Sequence, residues 1–252
     1  MVSRQGGESG RRIGVVIPAR DEEVSVGACI RSLEPFLNAG EPVLVVDAMS
    51  RDATAVIAEK LGARVIRGSE AARGHALARG YDALAGEVEA VLFIHADMIV
   101  RHETRERILS ALDTHPEAVG GALGHRIDDP RTRFRWIEAG NRFRARRWQI
   151  PYGDQAQFVR TAVLATAGGF PMMPTMEDLE MALRLRRLGV WLYLDCPVDI
   201  PARHWKKGVV RTTLRNWLRA SVHRLRREDP PIPELHEGAE PDRSKKSSPQ
   251  NS

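Results

Sequence analysis

Two short apolar runs rich in β-branched residues, 13–17 (IGVVI) and 42–47 (PVLVVD), read as strands covered on both faces. Between them Val26, Ile30, Leu33 and Leu37 recur at spacings of four and three, the period of one buried helix face. Glu22 and Glu23 fall in the first turn of that predicted helix, where carboxylates suit the helix dipole. The unit then repeats: a helix over 52–61 stopped by Gly62, a strand over 64–67, a helix presenting Leu77, Tyr81 and Leu84 and stopped by Gly86, and a strand over 90–95. This alternation predicts an α/β protein with a single Rossmann-like domain, an open and mostly parallel sheet covered by helices on both faces. Ligands of such sheets bind beyond the carboxyl ends of the strands, which directs attention to segments 18–23, 47–52 and 95–98. All three are polar and carry carboxylates, although Asp, Ser and Pro are turn formers and each segment alone reads first as an ordinary turn.

Beyond Asp113 the pattern changes. It predicts a strand over 119–127, an arginine-rich helix over 132–148, a strand over 155–160 and a helix over 177–188 closed by Gly189. A last amphipathic helix, over 209–227, places Leu214, Trp217, Leu218, Val222 and Leu225 on one face and arginines elsewhere. Residues 1–11 and 229–252 are poor in apolar positions and read as disordered tails, leaving 12–228 as the domain, with its two halves at 12–113 and 114–228.

Charge adds a direction but not a function. The 252-residue chain carries 38 Lys and Arg against 33 Asp and Glu, for a formal charge of +5, and its arginines crowd into 131–147 and 203–227. Such faces attract anions, whether nucleic acid, acidic headgroups or sugar-nucleotide phosphates. Cys29 and Cys196 belong to no Cys/His cluster and read as structural thiols, with neither disulfide nor zinc implied. No apolar run approaches the ~20 residues of a membrane span, and the N-terminal segment MVSRQGGESGRR lacks a hydrophobic core for a signal peptide. A cytoplasmic protein is expected, with 209–227 offering peripheral contact at the inner membrane face.

Six motifs occur in a telling order: IGVVIPARDEE (13–23), VLVVDAMSRDAT (43–54), ARGHALARG (72–80), LFIHADM (92–98), GGFPMMPTMEDLEMALRLRRLG (168–189) and ARHW (202–205). Over roughly residues 12–217 the chain resembles family-2 glycosyltransferases of the GT-A fold. It is most similar to the branch called radical-SAM/selenodomain-associated transferases, because HAD replaces DxD and IPYGDQAQFV (150–159) precedes GGFP and MED. The resemblance implies a nucleotide-sugar donor bound by 12–113 and a hydroxyl acceptor, lipid-linked in one reading, bound by 114–228. Pro18, Ala19 and Glu22 would surround base and ribose, Asp47 and Ser50 the nucleoside, Arg73 the diphosphate. Asp97, with His204 as a further ligand, would hold a divalent metal, Mn²⁺ or Mg²⁺; His95, where relatives carry the first Asp of DxD, either ligates or packs nearby. Asp178 would act as general base in an inverting transfer, with Glu177 beside it at a helix start orienting the loop or acceptor, and Tyr152, Asp154, Gln155 and Trp205 would face the acceptor. Competing readings are a nucleotidyltransferase, which normally has a glycine-rich loop where PARDEE stands, a relative that binds nucleotide but transfers weakly, and a basic module for nucleic acid or membrane surfaces. No specific nucleic acid is expected.

Overall fold

The structure, a computed structural model, describes residues 12–68, 72–205 and 218–225, with the side chains of His204 and Trp205 outside the description. The amino-terminal half builds β1 (Ile13–Ala19), α1 (Val26–Ser32), α2 (Glu34–Asn38), β2 (Val43–Asp47), α3 (Thr54–Lys60), β3 (Arg64–Arg67), α4 (Arg73–Leu84), β4 (Ala90–Phe93) and α5 (Thr104–Thr114). The second half adds β5 (Ala118–Ala122), β6 (His125–Asp128), α6 (Thr132–Trp148), β7 (Gln157–Arg160), α7 (Thr161–Thr166), α8 (Glu177–Leu185), β8 (Val190–Tyr193) and β9 (Val198–Pro201). Seven strands form one sheet in the order β3-β2-β1-β4-β7-β5-β8, and β6 pairs with β9 in a separate parallel ribbon. β1 to β4 run parallel, while β7 lies antiparallel to both β4 and β5. This mixed, mainly parallel sheet with covering helices is the α/β architecture that the sequence predicts.

The central strands are apolar throughout because both their faces are covered. Val15, Ile17 and Val45 join Cys29, Ile30 and Phe36 in one core layer; Val16, Leu44 and Val46 join Leu77, Tyr81 and Leu84 in the other. At the opening of β1 the buried Glu41 carboxylate accepts the Ile13 N–H at 3.2 Å and two bonds from Arg105, both at 3.1 Å.

Several boundaries differ from the sequence expectation. The helix expected between β1 and β2 begins only at Val26, so Glu22 and Glu23 lie in the turn before it. It also breaks at Leu33, because Pro35 at the start of α2 lacks the N–H to continue the ladder. The strand expected over 119–127 is two strands in different sheets; Gly124, at φ +83°, turns the chain between them. The strand expected from Ala90 stops at Phe93, and that expected from Gln155 begins at Gln157 after a single 3-10 turn, Gly153–Gln155. Of the helix expected over 209–227, the described residues contain 218–225, all helical, so Leu214 and Trp217 lie outside the description.

Candidate active site

The carboxyl ends of β1, β2 and β4 meet in register, with Ala19 beside Asp47 and Val16 beside Phe93. Pro18 and Ala19 are therefore the last residues of β1 rather than loop residues. The loops that follow β1 and β2 are stitched together by reciprocal bonds. Ser50 Oγ accepts the Asp21 N–H at 2.9 Å, and Asp21 Oδ1 accepts the Arg51 N–H at 2.8 Å. Thr54 Oγ1 accepts the Glu22 N–H at 2.8 Å, and Asp52 and Glu23 each take an N–H from the opposite loop at 3.1 Å. Asp47 is buried, with Oδ1 accepting the Ser50 N–H at 3.2 Å. Ser50 thus holds the two loops together at the mouth of the sheet.

After β4, His95 and Asp97 enter a tight turn whose Met98 is buried. Ile99 exchanges two backbone bonds with Asp199 of β9, at 3.0 and 2.9 Å. Because β9 leads directly into the turn Ala202–Trp205, this bridge brings Arg203 to the carboxylates. One guanidinium nitrogen, Arg203 Nη2, donates to Asp97 Oδ2 at 2.7 Å and to Glu22 Oε2 at 3.2 Å. The Asp97 side chain is only 7% exposed. Two carboxylates therefore converge on one cationic point. Burial raises the Cys29 thiol far above its ordinary value, and the charges of Asp97 and Glu22 add to the effect, which makes this thiol inert packing. Cys196 is buried and free as well.

Arg73 opens α4 instead of preceding it, and its Nε donates to Glu177 Oε1. Glu177 is fully buried and begins α8, following Met176 at φ +63°. Arg73, expected at the diphosphate, is thus committed to the acceptor half. Asp178 Oδ2 accepts the Gly153 N–H, so a backbone amide of the 153–155 turn, rather than of the Gly/Pro/Met-rich loop before α8, aims the carboxylate. Burial and the charge of Arg73 lower His95 to about 4, against the opposing pull of Asp97, Asp154 and Asp178. Its imidazole is neutral near pH 7, the form able to ligate a metal.

The acceptor-side residues divide. Tyr152 lies under the Arg144 guanidinium, 3.5 Å from ring centroid to the cationic carbon. Gln155 is buried, and its Oε1 accepts Arg144 Nη2 and the Tyr152 N–H, both at 3.1 Å. Asp154 pairs with His125, its Oδ2 lying 3.5 Å from the buried His125 Nδ1. Burial would raise the Asp154 carboxyl, but the charges of His125 and Arg144 hold it at about 2. His204 and Trp205 keep their place in the 202–205 turn, but their expected roles rest on side chains outside the description.

Three contributors were missed by sequence reasoning. Arg203 stood in a quoted motif without a role, because no local pattern shows which carboxylate an arginine will meet. His125 and Arg144 were read as strand and surface; a histidine at the start of one strand and an arginine on a basic helix carry no local sign of burial. Among the described residues no group of three or more His, Cys, Asp or Glu gathers as a metal cage. The donor set that does occur, carboxylates on a shared cationic point beside the expected diphosphate position, suits a hard divalent ion that completes its shell with substrate oxygens.

Comparison with known proteins bears on the family and the fold. The model of the family "Glycosyl transferase family 2" matches residues 14–174. Glucosyl-3-phosphoglycerate synthase of Mycolicibacterium paratuberculosis is 34% identical over 107 residues, 39% of this chain and 32% of the relative. The match thus spans about a third of that curated relative's length. Among solved structures, mannosyltransferase PcManGT of Pyrobaculum calidifontis, in complex with GDP-Man and Mn²⁺, superposes with a TM-score of 0.68 at 17% identity, covering 88% of this chain and 67% of that one. Glucosyl-3-phosphoglycerate synthase of Mycobacterium tuberculosis, in complex with Mn²⁺, UDP and glucosyl-3-phosphoglycerate, gives 0.61 at 21% identity, covering 85% and 80%.

Proposed function

The chain belongs to glycosyl transferase family 2, and from that membership we propose that it moves a sugar from a nucleoside-diphosphate sugar to an acceptor hydroxyl, with inversion at the anomeric carbon. The observation that carries this reading is the convergence of Glu22 and Asp97 on one cationic nitrogen at the carboxyl ends of β1 and β4. A leaving diphosphate needs charge compensation at such a point.

The buried carboxylate of Asp47, an acceptor-only group, suits the ribose diol or a nucleobase imide; Pro18, Ala19 and the stitched loops flank it. Asp97, with Glu22 beside it and His95 or His204 as further ligands, would hold Mn²⁺ or Mg²⁺, which when bound neutralises charge on the departing diphosphate. Arg203 holds the same two carboxylates and would have to yield them to the metal. On the acceptor side Asp178, held at Oδ2 by the Gly153 amide, takes the hydroxyl proton at Oδ1 as the hydroxyl oxygen attacks the anomeric carbon opposite the diphosphate. Glu177 and Arg73 fix the start of α8 and so the direction of Asp178. The segment IPYGDQAQFV favours the radical-SAM/selenodomain-associated branch. Among the described residues no helix is long and apolar enough to cross a membrane.

The test is a panel of UDP- and GDP-sugars with Mn²⁺, Mg²⁺ or chelator, read by thermal shift and by nucleoside-diphosphate release. One nucleotide class should stabilise the protein, more so with metal. No stabilisation by any donor, with or without metal, would sink the transferase reading.

A further inference from the structure

The donor site leaves the segment 150–155 without a role, and this segment turns a backbone amide on the base. The 3-10 turn Gly153–Gln155 gives its first N–H, that of Gly153, to Asp178 Oδ2. The approach is close enough to require glycine: a Cβ at position 153 would stand 3.0 Å from Asp178 Oδ2 and 3.3 Å from the Asp178 Cβ. From the same stretch of chain the buried Gln157 donates to Pro151 O at 3.0 Å and reaches the Asp178 carbonyl at 3.5 Å. The turn itself is closed by two backbone bonds, Gln155 N–H to Tyr152 O at 2.9 Å and Ala156 N–H to Gly153 O at 3.2 Å. So short a turn does not hold its own direction, which must be set from outside.

Arg144 of α6 supplies that hold. Its guanidinium is buried and spans the segment from end to end, with Nε donating to Ile150 O and Nη2 to Gln155 Oε1, both at 3.1 Å. The same Gln155 oxygen accepts the Tyr152 N–H at 3.1 Å, and the Tyr152 ring packs on the guanidinium face, its centroid 3.5 Å from the central carbon. Nη1 donates to Asn141 Oδ1 at 2.8 Å, which ties the cation to its own helix. Behind the turn the Gln155 carbonyl accepts the N–H groups of Leu123 and Gly124 at 3.0 and 3.1 Å. Burial lowers Arg144, and Tyr152, Asp154 and Asp178 pull the other way, so cation and base share one field. A buried charge is weak ground for stability, whereas a planar fork fixed on three acceptors sets a direction.

We infer that Arg144 is a positioning residue for the base: through Gln155 and the Gly153 amide it fixes the Asp178 carboxylate in the direction from which Oδ1 takes the acceptor proton. The inference rests on the transferase reading above and deepens it by giving the segment IPYGDQ a task. Arg144, buried behind the turn, touches no reacting atom. It acts through the turn alone, so its loss slows proton transfer without altering how the donor half holds the nucleotide sugar. Arginine is required at this position because the ammonium of a lysine cannot meet Ile150 O, Gln155 Oε1 and Asn141 Oδ1 in the positions of a planar fork.

The experiment uses the full chain with Mn²⁺ and whichever of UDP-glucose and GDP-mannose stabilises it more, and measures nucleoside-diphosphate release to water and to 3-phosphoglycerate. Arg144→Lys and Gln155→Leu should each lower kcat by roughly 10–100-fold, the worth of a misdirected group, with the donor KM within about twofold of wild type. Gln155→Glu, whose carboxylate still accepts from Arg144 and from the Tyr152 N–H, should keep kcat within about threefold. Gly153→Ala, which presses on Asp178 Oδ2 directly, should reproduce the loss. The deciding readout is a double-mutant cycle: in an Asp178→Asn background Gln155→Leu should cost less than about threefold, because the base it directs is gone. Equal losses in the two backgrounds would overturn the inference, as would full turnover by Arg144→Lys or a loss in Gln155→Glu as large as in Gln155→Leu. Should thermal unfolding show that Gln155→Leu does not fold, Arg144→Lys and Gly153→Ala go through the same cycle with the same criteria. Absence of nucleoside-diphosphate release by the wild type from any donor is a separate result; it removes the transferase reading itself and this inference with it.

Discussion

Met49 holds φ +62° and Met176 +63°, left-handed backbone that costs a residue with a side chain about 1 kcal/mol or more. Both sit directly beside the carboxylates that matter, Asp47 and Glu177, so local strain is concentrated where the site needs a fixed direction. The residue with the sharpest expected effect is Asp178. Asp178→Asn keeps the Gly153 contact through its amide oxygen but cannot take a proton, so transfer should fall by roughly 10²–10⁴-fold while nucleotide affinity, followed by calorimetry, stays within about twofold. Wild-type turnover in that variant would exclude Asp178 as the base. Arg203 competes for the carboxylates a metal would use. Removing its charge in Arg203→Gln should tighten Mn²⁺ binding without nucleotide by about three- to tenfold, the worth of a half-exposed ion pair. A titration by electron paramagnetic resonance reads this directly, and unchanged affinity would show that Arg203 does not occupy the metal position.

At the scale of elements, α4 and the loop before α8 form a single clamp. A methyl group on Gly74 would stand 2.1 Å from the Met173 carbonyl oxygen, a backbone atom with little freedom to yield. Gly74→Ala should therefore lower stability by about 1–3 kcal/mol in urea denaturation and loosen the adjoining Arg73–Glu177 pair. A stable Gly74→Ala protein would mean that the loop moves aside easily. The same clamp shows what the sequence could reveal. The strands β1 to β4 and the helices α1, α3 and α4 were legible from apolar runs and one-faced helical periods, whereas α5 (Thr104–Thr114), with only Ile108 and Leu112 as large buried side chains, was not read. Asp47 stood out because it ends β2, and Asp97 because it lies in the turn that follows β4. The second half was read less well: β7 inserts antiparallel between β4 and β5, and β6 leaves the sheet at Gly124, events set by long-range pairing and not by local period. The partner of Arg73, Glu177, was not legible for the same reason, since it lies 104 positions away.

For the whole molecule, the uneven charge seen in the sequence becomes a surface with a direction. α6 buries Phe134, Arg144 and Ala145 toward the acceptor side and turns Trp136, 76% exposed, and Phe143, 60% exposed, outward one above the other. Arg133, Arg142, Arg146 and Arg147 are exposed around them. On the same half, the helix 218–225 is anchored through Ala220 against Ile150 and Leu179 and exposes Leu218 and Leu225. Aromatic side chains flanked by arginines suit the headgroup layer of an anionic bilayer, where rings insert and guanidinium groups meet phosphates. The acceptor half of the site would then face the membrane. The protein should sediment with phosphatidylglycerol vesicles at low ionic strength and not with phosphatidylcholine vesicles. Roughly 0.5 M salt should release it, because the arginine contribution is screened within a few ångströms. Trp136→Ser combined with Phe143→Ser should weaken partitioning by about tenfold without changing donor affinity, since neither ring touches the carboxyl ends of the strands. Undiminished vesicle binding by the double variant would assign the ridge to solvent and leave the arginines as a general attraction for anions.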